Sequence, residues 1–208
     1  MTTTANKPES LPVLYDECVK FHGHSCVGLA FGYRAALAAM EALGVTRPKD
    51  EELVAICETD ACGIDAIQVI SGTTAGKGNL IVHDYGKHAF TFYNRRNDRA
   101  IRVFVRTMDI TEHSEFSAVR SRVFGGSATE SDQKRFRELT TEMISTVLTA
   151  PKEKLLEVRE VRIESHHQAH IFTSITCASC GETVADAKTR MVNGRHVCIP
   201  CAEGKNLH

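Results

Sequence analysis

Residues 21–44 read Phe21-His22-Gly23-His24-Ser25-Cys26-Val27-Gly28-Leu29-Ala30-Phe31-Gly32-Tyr33-Arg34-Ala35-Ala36-Leu37-Ala38-Ala39-Met40-Glu41-Ala42-Leu43-Gly44. The second part of this stretch sets a helix. Ala30, Tyr33, Leu37 and Met40 recur at 3–4–3 spacing, the period of a helix with one apolar face. A helix is therefore predicted from Val27 to Leu43, with Gly44 as its stop residue. The alanines at 35, 36, 38 and 39 favour helix and permit close packing. The first part carries chemistry. Two imidazoles and a thiol fall between His22 and Cys26, where the helix begins. Imidazole and thiolate are the usual ligands of zinc and other borderline-soft metals. The same groups can form an activated nucleophile, because a helix N-terminus and a neighbouring base lower a thiol pKa. Gly23 gives the backbone freedom to turn both rings inward.

Upstream of this segment, residues 1–9 read as a disordered tail. Pro12 opens a first helix through Leu14, Cys18 and Phe21. If that helix continues, Cys18 shares a face with His22. Downstream, Leu53 to Cys57 reads as a strand, and Cys62 to Ile70 as a short helix ending near Gly72. Leu80 to His83 and Ala89 to Tyr93 read as strands around a turn at Asp84–Lys87. Ile101, Val103 and Val105 alternate with Arg102, Phe104 and Arg106, as in a third strand of the same meander. Residues 108–130 give no readable pattern. Phe136, Leu139, Met143 and Val147 predict a helix that stops before Pro151, and Leu156 to Ile163 a last core strand. Without regular βαβ alternation the expected class is α+β: helices packed on an antiparallel sheet. The expected division is a tail at 1–9, a core at 10–165, and a linker with a small cysteine-rich module at 166–208.

That module carries the most specific pattern in the chain. Cys177-Ala178-Ser179-Cys180 and Cys198-Ile199-Pro200-Cys201 are C-x-x-C pairs with 17 residues between them. Each pair aims two thiolates at one point, and two pairs complete a tetrahedral zinc site. Gly181 permits the tight turn after the first pair, and Asn193-Gly194 marks a hairpin. Knuckle, hairpin, then a pair opening a short helix is the order of a treble-clef or zinc-ribbon finger. About thirty residues cannot build a sufficient core, so the metal supplies folding energy on the order of 10 kcal/mol or more. With four thiolates the site is closed and structural rather than catalytic.

The whole chain has 208 residues, 25 basic and 26 acidic side chains and eight cysteines. Near-balanced charge gives no electrostatic argument for a nucleic-acid or membrane partner. The finger's Lys188, Arg190, Arg195 and Lys205 are too interspersed with acids to favour nucleic acid. The polar N-terminus carries no secretory h-region, and no apolar run approaches a membrane span. Cysteines in that context point to metal binding or thiol chemistry in the cytoplasm rather than disulfides.

A second polar concentration, Asp60, Cys62, Asp65 and Gln68, falls at a predicted strand end and helix start, where sites gather. Cys62 and Asp65 share a helix face. The loop Gly72–Asn79 departs from the Walker pattern in its glycine spacing and in Gly78 after Lys77. An anion nest is the most it offers. His166, His167 and His170 read as an exposed linker.

Three stretches together resemble the FmdE family, whose members are similar to the E-subunit of formylmethanofuran dehydrogenase. They are 21–29 with Gly32-Tyr33-Arg34; Cys62-Gly63-Ile64-Asp65-Ala66-Ile67-Gln68; and Gly76-Lys77-Gly78-Asn79-Leu80 with Asp84-Tyr85-Gly86-Lys87. Some members of that family carry a C-terminal treble-clef finger, which fits residues 177–201. The resemblance implies an α+β core, a homodimer, and a metal-binding cleft built on the His/Cys motif. By match of motif, His22, His24 and Cys26 form the first site segment and Cys62 and Asp65 the second. Thr73 stands where family members often have a cysteine, so the site is expected to be altered. The implied role is accessory to a molybdenum or tungsten oxidoreductase, with a second divalent metal, zinc by its N/S ligands, in the core. Two other readings of the residues stay open. One is redox or catalytic chemistry with Cys26 as the thiol and His24 beside it. The other is a regulatory module acting through the finger.

Overall fold

The second helix sets the frame. In the computed structural model, which describes residues 15–106, 114–163 and 172–205, helix α2 runs Val27–Leu43, with the predicted bounds. Cys26 caps its start by accepting the Leu29 N–H on Sγ at 3.3 Å. Gly44 ends it in the left-handed conformation, φ 66°, where the Gly44 and Val45 N–H groups reach the carbonyls of Glu41 and Met40. The buried face differs from the predicted stripe. Tyr33 and Leu37 are only half-buried, whereas Ala35, Ala36, Ala38 and Ala39 are buried with Leu29, Phe31 and Met40. Small side chains let other elements approach α2 from several directions, so the alanines meet the core together with Leu29, Phe31, Met40 and Leu43.

Before α2 lies α1 (Tyr15–His22) and after it β1 (Leu53–Cys57), α3 (Gly63–Ser71), β2 (Leu80–Val82), β3 (Ala89–Asn94) and β4 (Arg99–Val105). The five-stranded sheet is completed by β5 (Leu156–Val161), in the order β2-β1-β3-β4-β5. All its pairs are antiparallel except β1 with β2, which is parallel. This corrects the expected meander: β2 and β3 do not form a hairpin, because β1 lies between them. The unit β1–α3–β2 is a crossover connection. The physical reason is burial. Leu53, Val54, Ala55 and Cys57 are all buried, and a continuous apolar run covered on both faces belongs in the middle of a sheet.

One face of the sheet, with Leu53, Ala55, Phe90, Phe92, Ile101 and Val103, shares the main core with α2 and α3. Across the sheet, Val54, Tyr93 and Ala100 make a smaller cluster, flanked by the Arg102–Glu58 ion pair at 2.7 Å. The stretch without a readable pattern contains helix α4 (Ser114–Phe124), which packs on α5 (Glu130–Thr149) through Phe116, Val119, Leu139 and Met143. Thr129 and Asp132 form a capping box that starts α5 a turn and a half before its first large apolar residue, Phe136. A one-turn helix, α6 (Lys152–Leu155), leads into β5.

Backbone packing divides the chain into units Met1–Gln168 and Ala169–His208. In the second, hairpin β6 (Ser174–Thr176) with β7 (Thr183–Ala185) carries the first cysteine pair between its strands. A second hairpin, β8 (Thr189–Val192) with β9 (Arg195–Cys198), turns at Asn193 and Gly194, both with positive φ, as a two-residue primed turn requires. It leads into α7 (Ile199–Ala202). Among the described residues no helix is long and apolar enough to cross a membrane. The tail at 1–9, the helix start at Pro12 and the histidines 166, 167 and 170 lie outside the described residues.

Candidate metal centre

The core cluster is assembled at the junction of α1, α2 and α3. Helix α1 ends on His22, and Gly23 leaves it with φ 90° while its N–H still bonds the Val19 carbonyl. The connection is pinned by Tyr15, whose hydroxyl meets Ser25 Oγ at 3.0 Å and donates to the Cys26 carbonyl at 3.3 Å. One donor atom from each of His22, His24 and Cys26 lies within 4.8 Å of the others. Cys26 Sγ is 3.8 Å from His22 Nε2. Zinc bonds of about 2.3 Å to sulfur and about 2.05 Å to nitrogen, at tetrahedral angles, separate those atoms by about 3.6 Å. The donor set and its spacing therefore fit a metal ion.

Asp65, counted among the ligands from the sequence, stands behind the ring instead. Its Oδ2 is 2.6 Å from His22 Nδ1, and its Oδ1 accepts from Gln68 Nε2 at 3.2 Å. A carboxylate on the far nitrogen fixes the tautomer and orientation of a metal-binding imidazole and raises its basicity. Cys62, at the cap position of α3, lies beside Cys26 and is exposed. Burial pushes the Cys26 thiol up; the Leu29 N–H draws it part of the way back, and Cys62 raises it again. A helix start alone therefore does not make Cys26 a free thiolate.

Three glycines, quoted in the sequence motifs without a physical role, bring these segments together. A Cβ on Gly32 would lie 2.1 Å from the Gly63 carbonyl oxygen, and one on Gly28 would lie 3.3 Å from Cys62 Cβ. Helices α2 and α3 thus touch backbone to backbone, which seats Cys62 against the start of α2. Arg34 of the same motif acts at a different place. Its guanidinium donates to the carbonyls of Val147, Leu148 and Ala150 at 2.6–2.8 Å, capping the C-terminus of α5.

Cys18 does lie on α1 below His22, but it is buried in the main core, and burial pushes its thiol to about 11. Cys57 is likewise buried, at about 12. Neither joins the cluster. The Gly72–Asn79 loop is closed on itself rather than open to an anion. Thr74 N–H donates to Asn79 Oδ1, Lys77 N–H to Thr74 Oγ1, and Lys77 Nζ to the Gly72 carbonyl. Thr73 is buried on Ser71 Oγ, at the opposite end of α3 from Cys62, about 13 Å along the helix axis. A thiol in its place would not reach the cluster.

In the second unit the sulfur atoms of Cys177, Cys180, Cys198 and Cys201 lie within 4.8 Å of one another, and Cys180 and Cys198 are 3.9 Å apart. The edge of a tetrahedron with zinc–sulfur bonds of about 2.3 Å is about 3.8 Å. The Cys198 and Ser179 N–H groups point at Cys177 Sγ. Backbone N–H groups, that of Cys198 first, draw the Cys177 thiol down to about 6. This is a four-cysteine zinc-binding module.

Residues 21–157 match the family described as FmdE, molybdenum formylmethanofuran dehydrogenase operon, and residues 170–206 match the prokaryotic dksA/traR C4-type zinc finger. The chain is 32% identical over 205 residues to a probable S-adenosyl-L-methionine-binding protein of Archaeoglobus fulgidus, covering 95% of this chain and 55% of that protein. It thus spans about half the length of that curated relative. The crystal structure of a tungsten formylmethanofuran dehydrogenase FmdE-like protein from Syntrophus aciditrophicus is similar with a TM-score of 0.63 and 24% identity, over 93% of this chain and 95% of that one. At that identity the likeness bears on the fold alone.

Proposed function

The chain belongs to the FmdE family, and from that membership we propose that its core binds a divalent metal, zinc by donor chemistry, on His22, His24 and Cys26, with Cys62 alongside. The observation that carries this is the convergence of the three donors within 4.8 Å, with Asp65 holding His22 from behind. Three protein ligands leave a coordination position for a small molecule. When bound, such a metal supplies a Lewis acid able to lower the pKa of water or polarise a carbonyl. The chain's own contribution is to orient: Asp65 fixes His22, Tyr15 fixes the loop, and the Gly32–Gly63 contact fixes Cys62. The finger's four cysteines complete a zinc site of their own.

The reading extends to an accessory role beside a molybdenum- or tungsten-type oxidoreductase, acting as a homodimer. The family description supports that role; light scattering of the purified protein tests the dimer. S-adenosylmethionine binding has support only in the name of the Archaeoglobus relative, of which this chain spans about half.

Metal stoichiometry tests the core site. Two ions per chain are expected in the purified protein, one in His22→Ala/Cys26→Ser, and one in Cys180→Ser/Cys201→Ser. A single ion per chain, lost only with the finger cysteines, refutes the core centre.

A further inference from the structure

Beside Phe21 and Gln68, a cavity of about 540 Å³ opens between α1 and α3, within the size range of small-molecule sites. Its walls include Glu17, Lys20 and Phe21 of α1, Gln68 of α3, and Arg47 and Thr74 from the loops. Phe21 keeps 59% of its surface in solvent, so the cavity is bordered by an aromatic ring that the core does not use.

The charges of the wall do not cancel. Lys20 Nζ is 2.7 Å from Glu17 Oε1, so that pair is neutral as a unit. Arg47 makes no hydrogen bond or ion pair among the described residues. Its position is nevertheless built. The stem crosses Gly72, where a Cβ would lie 3.2 Å from Arg47 Nε and 3.3 Å from its Cγ. Gly72 also holds φ 71° as the C-cap of α3, a conformation that favours glycine. Thr74 Oγ1 accepts from the Lys77 N–H, which leaves its own hydroxyl hydrogen to donate. Among the described residues the wall thus offers one unpaired planar cation, one hydroxyl donor and one aromatic face. A single surplus positive charge calls for a monoanion rather than a phosphate dianion, and a guanidinium fork matches a carboxylate bidentately.

We propose that this cavity binds a small carboxylic acid with an aromatic or apolar body, Arg47 taking the carboxylate and Phe21 the body. Gln68, which lines the cavity, bonds Asp65, and Asp65 bonds His22. The cavity is thus linked to His22 through two hydrogen bonds rather than opening on the donor atoms themselves, and an effect of the bound acid on that centre rests on the proposed metal reading.

Isothermal titration of the full chain with phenylacetate tests this, with acetate and inorganic phosphate as competitors. Saturable binding of phenylacetate is expected, weakened about tenfold or more in Arg47→Gln and several-fold in Phe21→Ala. Acetate, lacking the ring, loses little in Phe21→Ala. Absence of saturable binding, equal affinity in Arg47→Gln with the core still folded by circular dichroism, or tighter binding of inorganic phosphate than of phenylacetate overturns the proposal. Metal content is read separately on the same preparations. Ligand binding without a core metal sinks the metal reading and keeps the cavity; a core metal without ligand binding does the reverse.

Discussion

Alanine at Gly32 is the sharpest perturbation of the site's frame. Its methyl would sit 2.1 Å from the Gly63 carbonyl oxygen and 2.5 Å from Gly63 Cα, whereas non-bonded carbon contacts are most favourable at about 3.5–4.0 Å. Both offended atoms are backbone, so no side chain can swing aside, and α2 and α3 must part by about 1 Å or more. Overpacking of this kind costs about 1–3 kcal/mol, and a backbone clash belongs at the upper end, about 3 kcal/mol. Alanine gains about 1 kcal/mol over glycine in a helix interior. The net destabilisation is then about 2 kcal/mol, which lowers the melting temperature of a domain this size by about 4–8 °C. Differential scanning calorimetry of the metal-loaded protein measures it. Gly28→Ala is the graded control: its Cβ meets only Cys62 Cβ, at 3.3 Å, so stability changes by less than about 1 kcal/mol while Cys62 is displaced. A Gly32→Ala protein that melts within about 1 °C of the parent refutes the backbone contact as the device that seats Cys62.

Three further outcomes follow from other contacts. Arg34→Met strands the carbonyls of Val147, Leu148 and Ala150, and should lower the urea midpoint by the equivalent of about 3 kcal/mol with an unchanged m-value; Arg34→Lys should recover only part of it. Chelation of zinc should abolish amide-exchange protection in residues 172–205 while β1, β3 and β4 keep theirs, because the finger's buried cluster consists of two of its cysteines and Val197. Asp132 is held at about 2 by Arg122, then by the Thr129 N–H and hydroxyl. Its contribution to α5 is present above the ordinary carboxylate range and lost as pH falls through about 2; in Arg122→Gln, carboxyl NMR should find the midpoint nearer the ordinary value.

Much of the fold is legible in the sequence because the signals are local. The α2 period, Gly44 as its stop, and the paired C-x-x-C units depend on residues close in sequence, and each emerges with its bounds or ligands intact. Pairing in the sheet is not local. Reading Leu80–His83 and Ala89–Tyr93 as neighbours assumes that strands next to each other in the chain pair in space. The corrective information lies in Leu53-Val54-Ala55-Ile56-Cys57, whose unbroken apolar run marks a central strand rather than a half-exposed one. Helix α4 is unreadable for another reason: Phe116, Val119 and Val123 are separated by serines and arginines, so its stripe is narrow and its packing on α5 supplies the stability that propensity does not. At the site, the ligand types are visible and their order is not. Whether Asp65 meets a metal or the back of an imidazole depends on how α3 docks on α2, and that is set by Gly28, Gly32 and Gly63, residues whose significance lies in what they lack.

The finger and the proposed core site differ in the property that separates structural from reactive metal sites. In the finger, Cys177 and Cys198 are buried, their nearest polar groups are backbone N–H donors aimed at sulfur, and four thiolates fill a tetrahedron. Nothing in that arrangement leaves room for another ligand. In the core cluster the donors are mixed nitrogen and sulfur, and its inner side is rigid: His22 is held by Asp65 and Cys26 by the first turn of α2. Its outer side is open, for His24 and Cys62 are both exposed. Rigid support on one side and solvent on the other is what a metal needs in order to exchange a ligand. A site built only to hold the fold together would have no use for it, because the main core around α2 is already closed by Leu29, Phe31, Phe90 and Phe92 without any help from the histidines.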